Sequence, residues 1–138
     1  MKLRRKKRSL TLLEIMIVIV LIGLIGSVIG FNMKGSLDEG RAFKTRQASE
    51  QIKDILMLEV ARGVNIQEVV DNKEKYLANS GLVKSPEKLL KDGWNEPFEV
   101  KVNAKTQSDI IVKSEKLKAH DRKKNEKLGA PVADEDED

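Results

Sequence analysis

From Ile15 to Phe31 the chain holds no charged residue, and Leu10, Leu12 and Leu13 extend this apolar block toward the N-terminus with Glu14 as its single charge. A helix over Leu10 to Phe31, rising about 1.5 Å per residue, covers roughly 33 Å, the hydrocarbon thickness of a bilayer. The pattern predicts one membrane-spanning helix. Gly35, Ser36 and Asp38 then interrupt the apolar positions, after which Arg41 to Arg62 reads as a helix stopped by Gly63. Ala48, Ile52, Ile55 and Leu56 fall on one arc of it, with Arg46, Glu50, Lys53 and Asp54 on the other side. Leu58 and Val60 lie outside the arc, which predicts a last turn buried more widely.

Asn65 followed by Glu68 reads as a capping pair opening a second helix from Ile66 to about Asn79, closed by Gly81. Ser85-Pro86-Glu87 starts a short third helix with proline at its first position. Phe98 to Val102 alternates as a strand does, and Asp109 to Val112 supplies a second strand across the polar segment Asn103 to Ser108. The fold class is α+β: a long N-terminal helix, transmembrane and then amphipathic, carrying a small helical and antiparallel β head. Phe43, Tyr76, Trp94 and Phe98 are the aromatics left for its core outside the span, and there is no cysteine. A head this small without disulfides needs outside support, which packing on neighbours would give.

Charge sets the orientation. Six basic residues and no acidic one precede the span, so the positive-inside bias keeps the first nine residues in the cytoplasm and sends the rest across. A cleavable secretory signal has an apolar core of about 7 to 15 residues ending in small side chains, whereas this core is longer and ends Ile29-Gly30-Phe31-Asn32. Arg4-Arg5 lies in an undifferentiated basic cluster and is weak evidence for a twin-arginine signal. Glu14 is the odd residue. A charge in hydrocarbon costs roughly 2.5 to 3.5 kcal/mol on insertion scales, so a carboxylate near the mouth of the span calls for a partner.

Ser9-Leu10-Thr11-Leu12-Leu13-Glu14 resembles the processing site of type IV prepilins and type II secretion pseudopilins, with Ser9 standing for the family's glycine and Leu10 for its phenylalanine. The resemblance implies that a membrane aspartyl prepilin peptidase cuts between Ser9 and Leu10, that Leu10 is then N-methylated, and that Glu14 serves assembly by attracting the neighbouring subunit's N-terminal ammonium. The span and the helix after it look like the long N-terminal helix of a pilin, with Phe31 where the family commonly has proline. Local unwinding at the end of the span would then rest on Gly30 and Gly35. Loss of the leader would leave 20 basic against 22 acidic residues, a net charge of −2. The basic pI belongs to the leader, and nucleic-acid binding loses its support.

Asp92-Gly93-Trp94-Asn95-Glu96-Pro97-Phe98 is similar to the turn that enters the sheet of major pseudopilins. Gly93 and Asn95 tolerate turn conformations, Pro97 fixes the entry to the strand, and Trp94 offers an apolar plate for the small core. The calcium loop usual in that family has no counterpart, since Asp109-Ile110-Ile111-Val112 runs into Lys113-Ser114-Glu115-Lys116-Leu117-Lys118 without a spaced acidic set. Neither metal nor cofactor is expected. From Lys113 onward 15 of 26 residues are charged, ending in the acidic run Asp134 to Asp138, so composition predicts a solvated, disordered tail with His120 a solvated residue on it. No Ser/His/Asp arrangement, phosphate-binding glycine loop or paired carboxylates in an apolar pocket supports an enzyme.

The domain organisation read from sequence is a basic leader over 1–9, a transmembrane and assembly segment over 10–31, a periplasmic head over 32–112 and a charged tail over 113–138. The resemblance implies an inner-membrane, single-pass pseudopilin that polymerises with itself into the periplasmic fibre of a type II secretion system. It would work with minor pseudopilins and the inner-membrane secretion platform. The alternatives are a type IV or competence pilin subunit, or a single-pass anchored periplasmic adaptor that uses the span only as a tether.

Overall fold

A computed structural model describes residues 9–129 of the chain, apart from the side chains of Phe31 and Asn32. The basic leader up to Arg8 and the acidic run Asp134 to Asp138 lie outside the described residues. The chain divides into two units, Met1–Leu37 and Asp38–Asp138. Its elements are α1 (Leu12–Ala61), α2 (Ile66–Asp71), α3 (Lys73–Asn79), α4 (Pro86–Leu89), β1 (Glu99–Val102), β2 (Ile110–Lys113) and α5 (Glu115–Leu128). This is a pilin-like α+β fold, a long N-terminal apolar helix followed by a small head of helices and a two-stranded antiparallel sheet.

Across Gly35, Ser36 and Asp38, where the apolar pattern is interrupted, α1 runs on as the expected long N-terminal helix, 50 residues in all. Glycine in a helix interior costs about 1 kcal/mol against alanine, and serine and aspartate cost less. Flanking helix formers absorb such sums, and no proline removes a donor here. The helix stops at Gly63, which takes φ +99. There Val64 N–H donates to Glu59 carbonyl at 3.3 Å and Gly63 N–H to Val60 carbonyl at 3.0 Å, closing the last turn in a Schellman arrangement.

In the head, α1 turns one stripe inward. Ala42, Thr45, Ala48, Ile52, Ile55 and Leu56 are buried on it, and Val69 and Val70 of α2, Leu77 of α3, Phe98, Val100 of β1 and Ile110 of β2 complete the core. The arc read from the 3.6-residue period is the buried one. Two expectations fail at its margins: Leu58 is 44% exposed and Phe43 is 60% exposed, because both project from the opposite face of α1. The helix expected from Ile66 to Asn79 is divided at Asn72, whose Nδ2 and backbone N–H both donate to the Glu68 carbonyl. An asparagine side chain bonding the backbone in this way competes with helix continuation.

The strands pair in the register Glu99↔Lys113, Val100↔Val112, Lys101↔Ile111 and Val102↔Ile110. Asn103 starts the turn between them by accepting from the N–H groups of Lys105 and Thr106. At the start of β2, Lys53 Nζ lies 2.9 Å from Asp109 Oδ2, and Ile110 N–H donates to Oδ1. The Lys53 ammonium holds the Asp109 carboxyl below its ordinary value of 3.8, and Lys124 does the same for Glu39. Carboxyls depressed in the folded state stabilise it above their unfolded pKa, and that contribution fades as pH falls through the folded one. Thermal melting should therefore show the head losing stability as pH drops from about 5 to about 3. Asp109→Asn should lower stability at neutral pH yet lose less of it on acidification. Equal acid sensitivity in wild type and variant would remove the Lys53–Asp109 pair from the account.

Candidate functional site

Ser9, Leu10 and Thr11 precede α1 outside regular structure, and all three are exposed. Thr11 Oγ1 accepts the Glu14 N–H at 3.3 Å, and the Thr11 carbonyl accepts the Ile15 N–H at the same distance. Thr11 is thus placed as a capping hydroxyl before the helix, with a carboxylate three residues on, the spacing of a capping box. Glu14, exposed in the first turn, also sits where the helix macrodipole favours a negative charge. Residues 9–11 are therefore accessible up to the residue where the helix starts. From Leu12 to Leu37 the described large side chains are exposed, Ile19 at 63% and Leu24 at 61% among them, which makes this an apolar, membrane-associated helix.

The second segment, Asp92 to Phe98, is organised by a buried carboxylate. Asp92 is 4% exposed, and its Oδ1 accepts the backbone N–H groups of Trp94 and Glu96, each at 2.9 Å. Its Oδ2 accepts the Ser114 hydroxyl at 2.6 Å. Beside it, Gly93 N–H donates to Thr45 Oγ1 at 2.8 Å, and that hydroxyl donates to the Arg41 carbonyl at 2.7 Å. A Cβ on Gly93 would lie 2.8 Å from Arg41 Cα and 2.9 Å from its carbonyl carbon, so glycine is required here for close approach to α1. The left-handed position of the turn belongs to Asn95, at φ 66. Pro97 bridges to Lys91 just before β1.

Trp94 is half-buried and meets the His120 ring, with centroids 5.9 Å apart at 45°. This corrects the reading of a disordered tail over 113–129; the remainder of that tail lies outside the described residues. Lys113 ends β2, and Glu115–Leu128 forms α5, capped by Ser114 Oγ accepting the Leu117 N–H and closed at Gly129 with φ 65. His120 is not a solvated residue either, since its side chain is 17% exposed. Its Nδ1 lies 3.3 Å from Asp121 and its Nε2 3.8 Å from Glu39. Arg46 donates to Asp121 at 2.6 Å and Lys124 to Glu39 at 2.8 Å, so α5 is fastened to α1 by crossed ion pairs.

Sequence reasoning pointed to Gly93, Trp94 and Pro97 but missed Asp92, Thr45 and Ser114, whose links span 22 and 48 positions. Asp before Gly signalled a turn, yet nothing local signalled Ser114 as the partner. Among the described residues no three His, Cys, Asp or Glu side chains stand together as a metal site.

Residues 4–30 match the family model of the prokaryotic N-terminal methylation motif, which defines a type IV pilin-like leader. Over 122 residues the chain is 46% identical to a Chlamydia muridarum protein named "putative outer membrane protein", covering 88% of this chain and 98% of that one. A Chlamydia trachomatis protein of the same name is 45% identical over the same shares, and one from Chlamydia pneumoniae is 38% identical over 89% of this chain and 100% of its own. The chain belongs to the family of these chlamydial proteins. No solved structure matches it significantly.

Because Gly93 touches α1 backbone, Gly93→Ala should lower the unfolding free energy in urea titrations by about 1 to 3 kcal/mol, the usual penalty of overpacking. Asn95→Gly, at a positive φ, should change it by less than about 0.5 kcal/mol. The reverse order of effects would show that backbone conformation, not contact with Arg41, controls the turn.

Proposed function

We propose that the protein is a pseudopilin subunit of a type II secretion system, cut between Ser9 and Leu10 by a prepilin peptidase, methylated on Leu10 and polymerised into a periplasmic fibre. The observation that carries this reading is the methylation-motif match over residues 4–30 together with Thr11-Leu12-Leu13-Glu14 opening α1. The Asp92 to Phe98 turn favours the secretion fibre over a type IV or competence pilus. Minor pseudopilins and the inner-membrane secretion platform are the partners this role calls for. No enzymatic activity and no nucleic acid enter it.

Removing the leader strips six positive charges from the cytoplasmic end and creates an ammonium at Leu10. Glu14, about 6 Å further along the chain if helical, is offered to the ammonium of an adjacent copy. Each charge is costly in the apolar bundle alone, and the pair is tolerable together, which fixes register. The chlamydial relatives carry an outer-membrane name, but proteins span that membrane as closed barrels, whereas one apolar helix after a basic leader suits retention in the inner membrane. The head then lies in the periplasm.

Mass spectrometry of the membrane-embedded protein should find an N-terminal peptide beginning at methylated Leu10. Intact Met1 to Ser9 on most molecules would instead support an anchored adaptor that keeps its leader.

Glu14→Gln separates the two duties of this residue. Glutamine keeps the capping-box spacing with Thr11 and removes the charge, so the variant should insert and be cleaved as wild type does but fail to form fibres, as Glu14→Ala also should. Electron microscopy of overproduced fibres and secretion assays read the outcome. Wild-type assembly by Glu14→Gln would leave the carboxylate with a structural duty only.

A further inference from the structure

Two surfaces of the head carry unpaired charges of opposite sign. On the outer face of α1, Phe43, Gln47, Glu50, Gln51, Asp54 and Leu58 are exposed, and Glu50 and Asp54 have no ion-pair partner among the described residues. On one edge of α5, Lys116, Lys123 and Lys127 recur at i, i+7 and i+11, all exposed and likewise without a partner among the described residues. The charges between these two surfaces are paired already, as Arg46–Asp121, Lys124–Glu39 and Lys53–Asp109.

The two sets match in spacing. Glu50 and Asp54 stand at i, i+4, as do Lys123 and Lys127, which places each pair about 6 Å apart along its helix axis. They are not paired within one copy: Lys124, next to Lys123, sits on Glu39, 11 residues and roughly 16 Å along α1 from Glu50. Phe43, 60% exposed, and Leu58, 44% exposed, flank the acidic pair on the same face and supply apolar contact at either end.

We infer that the Lys123–Lys127 edge of α5 docks on the Glu50–Asp54 face of α1 in a second copy of this chain. The two surfaces differ, so the contact is heterologous and propagates from copy to copy instead of closing a symmetric dimer. That is the geometry a fibre needs, and the inference rests on the fibre reading while naming the head surfaces it uses. Solvent-exposed pairs of this kind set partner choice and register more than affinity, and they weaken as salt rises. Repetition along the fibre makes the sum decisive.

The test uses the full-length protein with three variants: E50K/D54K, K123E/K127E and the fourfold combination. Each double reversal places like charges opposite one another and should reduce fibre yield at least tenfold. The fourfold variant restores opposite signs and should recover most of it. In wild-type fibres grown from mixed isotopically light and heavy protein, a zero-length carbodiimide reagent should link Lys123 or Lys127 to Glu50 or Asp54 between light and heavy copies.

Double variants that assemble as wild type, or a fourfold variant no better than the doubles while circular dichroism shows all heads folded, would overturn the contact. Assembly unaffected by K123E/K127E alongside lost binding to phosphatidylglycerol vesicles would assign the α5 edge to a lipid surface instead. Failure of the fibre reading looks different: wild type itself forms no fibre, and this contact falls with it. Wild-type fibres that depend on Glu14 but not on these four residues would leave the reading standing and sink only the contact.

Discussion

The Asp92 carboxylate is the constraint on which the head depends. A charge that is 4% exposed is tolerable only with its acceptor sites filled, and two backbone amides and the Ser114 hydroxyl fill them. Those three bonds fix the turn before β1 and the capping residue of α5 at one point. The next residue, Gly93, ties that point to α1 through Thr45, at an approach that leaves no room for a side chain. Removing Asp92 would disconnect three chain segments, because the strands alone are four residues each and could not hold the arrangement.

What the sequence made legible follows from how local the cause is. The inner arc of α1 from Ala48 to Leu56, the capping at Asn65 and the two strands rest on period and neighbouring residues, and they are present as read, to within a residue or two at the strand ends. The interruption of the apolar pattern after the span leaves the long helix intact. Glycine and serine weaken a helix by amounts that its neighbours recover, so an irregular pattern at Gly35 and Ser36 does not stop it. Asn72 was underread, since its side chain bonds back to Glu68 and parts α2 from α3.

The larger miss was α5. Its charge density suggested disorder, yet Ser114 ahead of it and Gly129 behind it are helix signals visible in the chain, and lysine, arginine, glutamate and leucine are good helix formers. What could not be read was where the helix docks. Arg46 and Asp121 are 75 positions apart, and Glu39 and Lys124 are 85 apart. The Asp92 network was hidden for the same reason, whereas the capping role of Thr11 and Glu14 was readable from their spacing and was obscured by attention to the membrane.

The way α5 is held sets it apart from the rest of the head. None of its residues is buried, so its attachment rests on partly exposed ion pairs, the Ser114 cap and the Trp94–His120 contact. Exposed pairs contribute about 0.2 to 1 kcal/mol each and are screened by salt, while the core stripe of α1 is apolar and is not. The helix therefore stands at the low end of local stability, and it can yield before the core does. An element attached this way does little for folding. Its docking instead orders a charged surface beside α1, and the fold keeps that surface in place with polar contacts that leave Lys123 and Lys127 without a partner among the described residues.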